Sequence, residues 1–426
     1  DTSNGEVNIR LKDNVKFSDG SDLESSDVKA SVDRIIAAES RSPYFVYASK
    51  INHIQINDSK NFTVVFNSAS DAALDNLIFP ITSAGEYNKG ESFAIGSGPY
   101  AYSGHESGKT LKLAVNKYYY DGIAKLPIVF NIVKDRSVIP GLMTMDVVTA
   151  YLNKTQDADS IAQDKKLKYK KLASGELEYL GFNHENKYCS NSKFRIAISK
   201  AIDSSKIIKY NYAGAAVTSD SIYYPNFLGA KKDDTFNFEP KKATKLLKEL
   251  KLKDRDEDGI IEDESGNPVT LRILVQNTNK QRLEAAETII ENLKQIGINA
   301  ELVSVDADSY KDKLESKQYD IYFGGIKIDK QFNLTDLYTT YNKIGFSDSK
   351  LLTQISRLEQ SLSSEEQLKQ FTAIKKSINQ DASYVPVCYK AYWFLSVDTL
   401  KNADDVSFYS PYEGAVKWQW SKRKTK

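Results

Sequence analysis

Two cysteines, three histidines and two methionines are all that the 426-residue chain holds of the soft ligands and common nucleophiles. Cys189 and Cys388 lie far apart and in no Cys-x-x-Cys, which excludes a zinc ribbon or a dithiol redox motif. One disulfide between them is compatible with the sequence but not required by it. His53, His105 and His184 are isolated. No His-Glu-x-x-His and no histidine pair at helical spacing occurs, which argues against a His-based metal centre. The same scarcity argues against acid–base or nucleophilic catalysis, which draw on these residues most. Neither charge sign is in excess: 58 Lys plus Arg face 57 Asp plus Glu, for a net charge of +1. A dedicated nucleic-acid binder carries a clear basic excess, so that class is excluded. No apolar run approaches the roughly 18 residues that span a bilayer.

What remains is a globular composition. Hydrophobic residues make up 41 % and aromatics 11 %, with 26 Tyr and 18 Phe, enough for a substantial core. The length suits two or three domains of about 150 residues. The chain opens almost at once on a strand, with Val7, Ile9 and Leu11 alternating with Asn8, Arg10 and Lys12. A protein seldom begins in mid-strand, so the sequence reads as a piece of something longer.

The periodicities predict mixed α/β structure. Val28, Val32, Ile35 and Ile36 form the apolar face of a helix capped near Ser25 or Ser26, followed by strands at 51–56 and 62–66. Further strands are predicted near 111–115, 128–133 and 177–183, with a helix over 194–208 and a possible break near Asp203. Pro240 opens a helix with Ala243, Leu246, Leu247 and Leu250 on one face. Then come strand 269–275, helix 282–297, strand 298–305, a short helix and strand 319–325. This strand–helix rhythm predicts a mixed sheet flanked by helices. A helix over 364–382 precedes an aromatic strand pair ending near Val397.

Few constellations carry chemistry. Asp254, Asp256 and Asp258, with Gly259, match the start of a calcium loop. Its twelfth position is Ser265, not the bidentate carboxylate required, so Asp263 or Glu264 would have to substitute. The alternative is an acidic turn between helix and strand. Gly96-Ser97-Gly98-Pro99 lacks the Gly-Lys-Ser/Thr of a phosphate loop, and Pro99 removes an N–H, so it reads as a backbone turn. Aromatic clusters at 223–225, 392–394 and 418–420 are candidates for core or cleft. The alternation of Trp418 and Trp420 puts both on one side of a strand.

Eight segments in order carry a family resemblance. They include LKDNVKFSDGSDLESSDVKASVDRI, GSGPYAY, NKYYYDG, YLGFN, FRIAISKAIDSSKII, DRDEDGIIEDESGNPVTLRILV and DASYVPVCY. From residue 7 to about 410 the chain resembles the family 5 solute-binding proteins of ABC transporters, the oligopeptide- and dipeptide-binding type. That resemblance implies an α/β, two-lobed, periplasmic-binding-protein-like (type II, cluster C) fold with mixed sheets, a hinge and an accessory subdomain. The expected division is an accessory subdomain at 1–90, lobe I at 91–222 with 405–426, and lobe II at 223–404. The hinge is expected near Tyr223–Pro225 and Ser407–Tyr409. The family's first strands, which precede LKDNVKF, are missing from this sequence.

In peptide-binding members an Asp beyond a strand end pairs with the peptide's α-ammonium. Gly325-Ile326-Lys327-Ile328-Asp329 keeps that spacing, although Ile326 replaces the family's Trp and no Pro-Asp-Pro follows. The resemblance thus implies a ligand role for Asp329, backbone pairing by Gly325, Ile326 and Lys327, and aromatic contacts from Tyr223, Tyr224, Tyr409 and Trp393. The alternative for Asp329 is a plain loop carboxylate. The implied function is an extracytoplasmic, surface-anchored or periplasmic receptor. It would act as a monomer, capturing a peptide and delivering it to ABC permease subunits, without cofactor, catalysis or nucleic acid. Any membrane attachment would be through a lipid anchor outside this chain. Alternatives are an adhesin or sensor module on the same fold, or a receptor for a metal chelate or oligosaccharide.

Overall fold

The computed structural model describes residues 4–69, 73–87, 95–154, 161–163, 166–328, 335–339, 341–358 and 364–421. The chain forms two compact units. Unit 1 is Asp1–Tyr151, Ile161–Tyr169 and Leu395–Lys426; unit 2 is Leu152–Ser160 and Lys170–Phe394.

Unit 1 holds two three-stranded sheets. Strands β1 (Glu6–Arg10), β2 (Ile51–Ile56) and β3 (Asn61–Phe66) form an antiparallel sheet in the order β1–β3–β2. The helix Ser25–Ala38 lies on it, because Val28 and Val32 recur at helical spacing and pack with Val7, Ile51, Ile54, Phe62, Val64 and Phe66. A capping box fixes its start: the Asp27 carboxylate accepts from Glu24 N–H at 2.9 Å. Its other oxygen accepts from Ala84 N–H at 2.8 Å, tying in a distant loop. The second sheet joins β4 (Tyr100–Glu106), β5 (Thr110–Val115) and β6 (Ile128–Asn131), antiparallel in sequence order. No residue of these three strands is fully buried. Gly96–Pro99 is a backbone turn, as expected: Asn116 donates to the Gly98 carbonyl at 2.7 Å and Ser18 N–H to that of Gly96 at 3.0 Å.

Unit 2 is organised by a larger mixed sheet. Its strands are β7 (Ala150–Asn153), β8 (Lys168–Phe182), β9 (Ala216–Val217), β10 (Thr270–Gln276), β11 (Asn299–Val305), β12 (Ile321–Lys327) and β13 (Tyr384–Ser396). The order is β11–β10–β12–β8–β13–β7, with β9 beside β13. β10 runs parallel to β11 and β12, while β12 is antiparallel to β8. The helices Lys280–Lys294 and Ala307–Glu315 return the chain between the parallel strands, as the predicted rhythm required. Side-chain alternation splits the sheet's faces. Leu180 and Phe182 enter a core with Ile198, Leu247, Ile289 and Ile321; Leu177 and Tyr179 enter a second, aromatic one with Tyr322, Tyr338, Phe371 and Tyr384. A two-stranded pair, β14 (Leu400–Lys401) with β15 (Gln419–Trp420), belongs to unit 1.

Residues 170–222 group with 223–394 in unit 2, and β8 is laddered to β12 over its C-terminal half. Tyr223–Pro225 lies inside unit 2, and the chain changes units within β7, between Ser160 and Ile161, between Tyr169 and Lys170 in β8, and between Phe394 and Leu395 in β13. The helix expected over 194–208 breaks near Asp203, where the sequence allows a break: it forms Ser192–Ala201 and Ser204–Tyr210, with Asp203 capping the second. The expected aromatic strand pair is instead one continuous strand, β13, which runs on past Pro386 near its start. Trp418 is buried but Trp420 is exposed, so the two do not share a buried face. Cys189 and Cys388 are free thiols buried in the same core cluster.

Candidate functional site

The C-terminal end of β12 is where sequence and structure converge. Its register against β8 pairs Phe323 with Leu180, Gly325 with Glu178 and Lys327 with Glu176. On the other side β10 pairs only with Ile321 and Tyr322. Beyond Tyr322, the edge of β12 away from β8 has no strand partner among the described residues. The strand is buried to Gly324, then emerges: Gly325 and Lys327 are exposed and Ile326 is half-buried.

Polar groups meet beneath this end. Glu178, buried, takes a bidentate fork from Arg282, with Nε–Oε2 2.6 Å and Nη2–Oε1 3.0 Å. Arg282 is placed there because Asn279 caps the helix Lys280–Lys294, accepting from Arg282 N–H at 3.1 Å. The guanidinium occupies the space that a side chain on residue 325 would fill, so a larger residue there would push Arg282 aside. Lys390 of β13 lies 3.4 Å from Glu178 and 3.5 Å from Glu176. Glu176 also accepts from the Tyr392 hydroxyl at 2.5 Å. The sequence signal for this cluster was Gly324-Gly325 inside a strand pattern, which announces something packed against the backbone. Its charged members come from three separate segments, β8, the helix Lys280–Lys294 and β13, which no local pattern connects.

The expected aromatic residues divide. Tyr223 is core: it stacks on Phe227 at 6.0 Å and meets Phe371 edge-on at 4.8 Å. Tyr224 is half-buried, donates to the Ala173 carbonyl at 2.7 Å and packs on Tyr389. Both share the aromatic core with Ile326. Trp393 is buried on β13, with Lys171 Nζ 5.2 Å above its ring. Tyr409 is half-buried in unit 1 against Phe408. Asp329 lies outside the described residues.

The acidic loop has a tighter geometry than its sequence suggested. The carboxylates of Asp254, Asp256, Asp258 and Glu262 lie within 4.8 Å of one another. Glu262, not Asp263 or Glu264, joins the aspartates. Asp263 is instead engaged by Lys187 at 2.5 Å, which together with the Asn267 and Ser265 amides holds its carboxyl far below the usual range. Glu264 pairs with Lys251. The three aspartates already accept local backbone N–H groups, as an Asx-rich turn does.

The family of bacterial extracellular solute-binding proteins, family 5 (middle region), matches residues 2–348. The chain belongs to this family. Among similar proteins, the glutathione-binding protein GsiB of Salmonella paratyphi A is 25 % identical over 319 residues, covering 72 % of this chain and 60 % of GsiB. The oligopeptide-binding protein AppA of Bacillus subtilis is 23 % identical over 340 residues, covering 73 % of this chain and 60 % of AppA. The chain thus spans less than two thirds of these relatives. An ABC transporter substrate-binding protein from Sinorhizobium meliloti shares the fold, with a TM-score of 0.80 at 15 % identity, over 99 % of this chain and 89 % of that one. Among the described residues, no helix is long and apolar enough to cross a membrane.

Proposed function

We propose that this family 5 chain is the solute-capturing part of a peptide receptor that serves an ABC importer outside the cytoplasm. The observation that carries this reading is the exposed, unladdered end of β12. Main-chain groups there are available to pair with an extended peptide as an added strand, a mode that tolerates varied side chains. The peptide-binding relatives GsiB and AppA support the same class of ligand. Asp329, two residues past the strand, would hold the peptide's α-ammonium by charge-assisted hydrogen bonds. Tyr224 would help shape the ground on which the strand rests. Capture would proceed by a hinge movement that shields the ligand from water. The receptor would be a monomer held at the cell surface by a lipid anchor, and would hand its cargo to the permease without chemistry.

Thermal melting with a broad peptide pool tests this. A ligand at about 100 times its Kd adds roughly 2.7 kcal/mol of stability and raises the melting temperature. No shift with any pool would refute the reading. The Asp329→Ala variant should lose more affinity for peptides with free N-termini than for acetylated ones; equal losses would remove Asp329 from its role.

A further inference from the structure

Cross-strand neighbours of opposite charge normally pair. At the end of β12 they do not. Lys327 stands opposite Glu176 in the β12–β8 register, but the Glu176 carboxylate is drawn to the far side by Tyr392 at 2.5 Å and Lys390 at 3.5 Å, both on β13. Lys327 is left exposed and without an ion pair among the described residues. One pair further along, Gly325 offers no side chain to cover Arg282. That guanidinium gives Nε and Nη2 to Glu178, and its Nη1 has no partner among the described residues. Lys154 Nζ adds a further positive charge 5.3 Å from the Tyr392 ring. Three cations (Arg282, Lys327 and Lys390) therefore adjoin two carboxylates (Glu176 and Glu178), with Lys154 over the neighbouring Tyr392 ring, in a chain whose overall charge is only +1.

The geometry points to a carboxylate subsite at this end of β12, in which Lys327 reads an acidic side chain of the bound peptide. The Arg282 guanidinium lies behind it, and Glu176 and Glu178 act as positioning residues that hold Lys390 and Arg282 in place. The inference rests on the proposal that peptides lie along β12. It adds a preference that backbone pairing cannot supply, since strand addition is blind to side-chain charge. A solvated face of unrelated lysines would show no such preference.

Equilibrium dialysis against a pool of Ala-X-Ala tripeptides, with X covering all side chains, tests it by mass spectrometry of the retained peptides. The wild-type protein should retain the Asp and Glu peptides about tenfold over their Asn and Gln counterparts, the scale of one hydrogen bond to a charged group. Lys327→Gln should bring that ratio close to one. Gly325→Ala, whose new methyl displaces the guanidinium, should lower it as well. High salt should also narrow it, because the site is partly exposed. A pool retained without acidic preference, or a preference that survives Lys327→Gln, overturns the subsite and leaves the peptide reading standing. Retention of no peptide at all overturns both.

Discussion

The two units solve the same problem, burying apolar surface around a sheet, to very different degrees. In unit 2 both faces of one mixed sheet are covered, and its ionic groups are drawn inward: Arg282–Glu178, Arg195–Asp381 and Lys375–Asp220 each include a side chain no more than 9 % exposed. In unit 1 the apolar clusters are small, one helix on three strands and a second around Val15, Phe17 and Leu23, and ion pairs such as Arg10–Asp13 and Lys29–Asp33 lie at the surface. Among the described residues, sixteen of the nineteen large hydrophobic residues that are exposed, including Val129, Ile132, Met145 and Val147, belong to unit 1. A sheet covered on both faces can hold strand ends such as β12 in fixed register, whereas one with no buried strand residue relies on its ladder alone. Positional accuracy, and with it the candidate site, therefore belongs to unit 2.

This contrast can be broken by experiment. The largest expected effect is at Arg195, which is 1 % exposed and donates to the carbonyls of Cys189, Ser190 and Asp381 as well as the Asp381 carboxylate. Arg195→Met should cost unit 2 about 3–5 kcal/mol in urea unfolding, since it strands buried acceptors. A loss below about 1 kcal/mol would mean that the internal polar lock contributes little. Next in size, Ile54→Val in the small core of unit 1 should cost about 0.5–1.5 kcal/mol. In calorimetry it should lower an earlier transition assigned to unit 1; a single cooperative transition moved by both variants would erase the distinction.

His184 in unit 2 supplies a pH test. Burial, followed by the nearby Arg195 charge, lowers its pKa to about 4, and Ser383 Oγ lies 2.9 Å from Nε2. The folded protein disfavours the proton that the unfolded chain accepts near 6.5. Its contribution is therefore complete above about pH 6.5 and lost as pH falls toward 4. Unit 2 stability should decline over that window, and His184→Gln should flatten the decline; an unchanged slope would assign the acid sensitivity elsewhere. The smallest effect is expected at Lys29→Ala, which removes an exposed i,i+4 pair worth about 0.3–0.5 kcal/mol. A larger loss would show that unit 1 depends on its surface charges.

Much of the architecture was legible because it is local. The alternation at Val7–Leu11, the apolar stripe of Val28 and Val32, and the strand–helix rhythm from 269 to 325 all depend on side-chain period, which a sequence displays directly. The break at Asp203 was visible as a cap residue inside a helical pattern. Which strand ladders to which is not a local property: β8 commits residues 176–182 to β12 across more than a hundred residues of chain. At the site, the glycine pair and the spacing to Asp329 were readable, and the Arg282–Glu178–Lys390–Glu176 cluster was not.

The sequence by itself determined the class of protein: a near-neutral chain poor in Cys and His, with the ordered segments of a family 5 solute-binding protein. It also determined that residue 325 is glycine and residue 327 lysine. Only the tertiary structure decided what those residues mean. The β12–β8 register sets Gly325 over Arg282, and the neighbouring β13 draws Glu176 away from Lys327. The reason is physical. Side-chain periodicity is a property of each segment, whereas the pairing of charges across a sheet depends on register and strand order, which the cores on its two faces fix only when the whole unit folds.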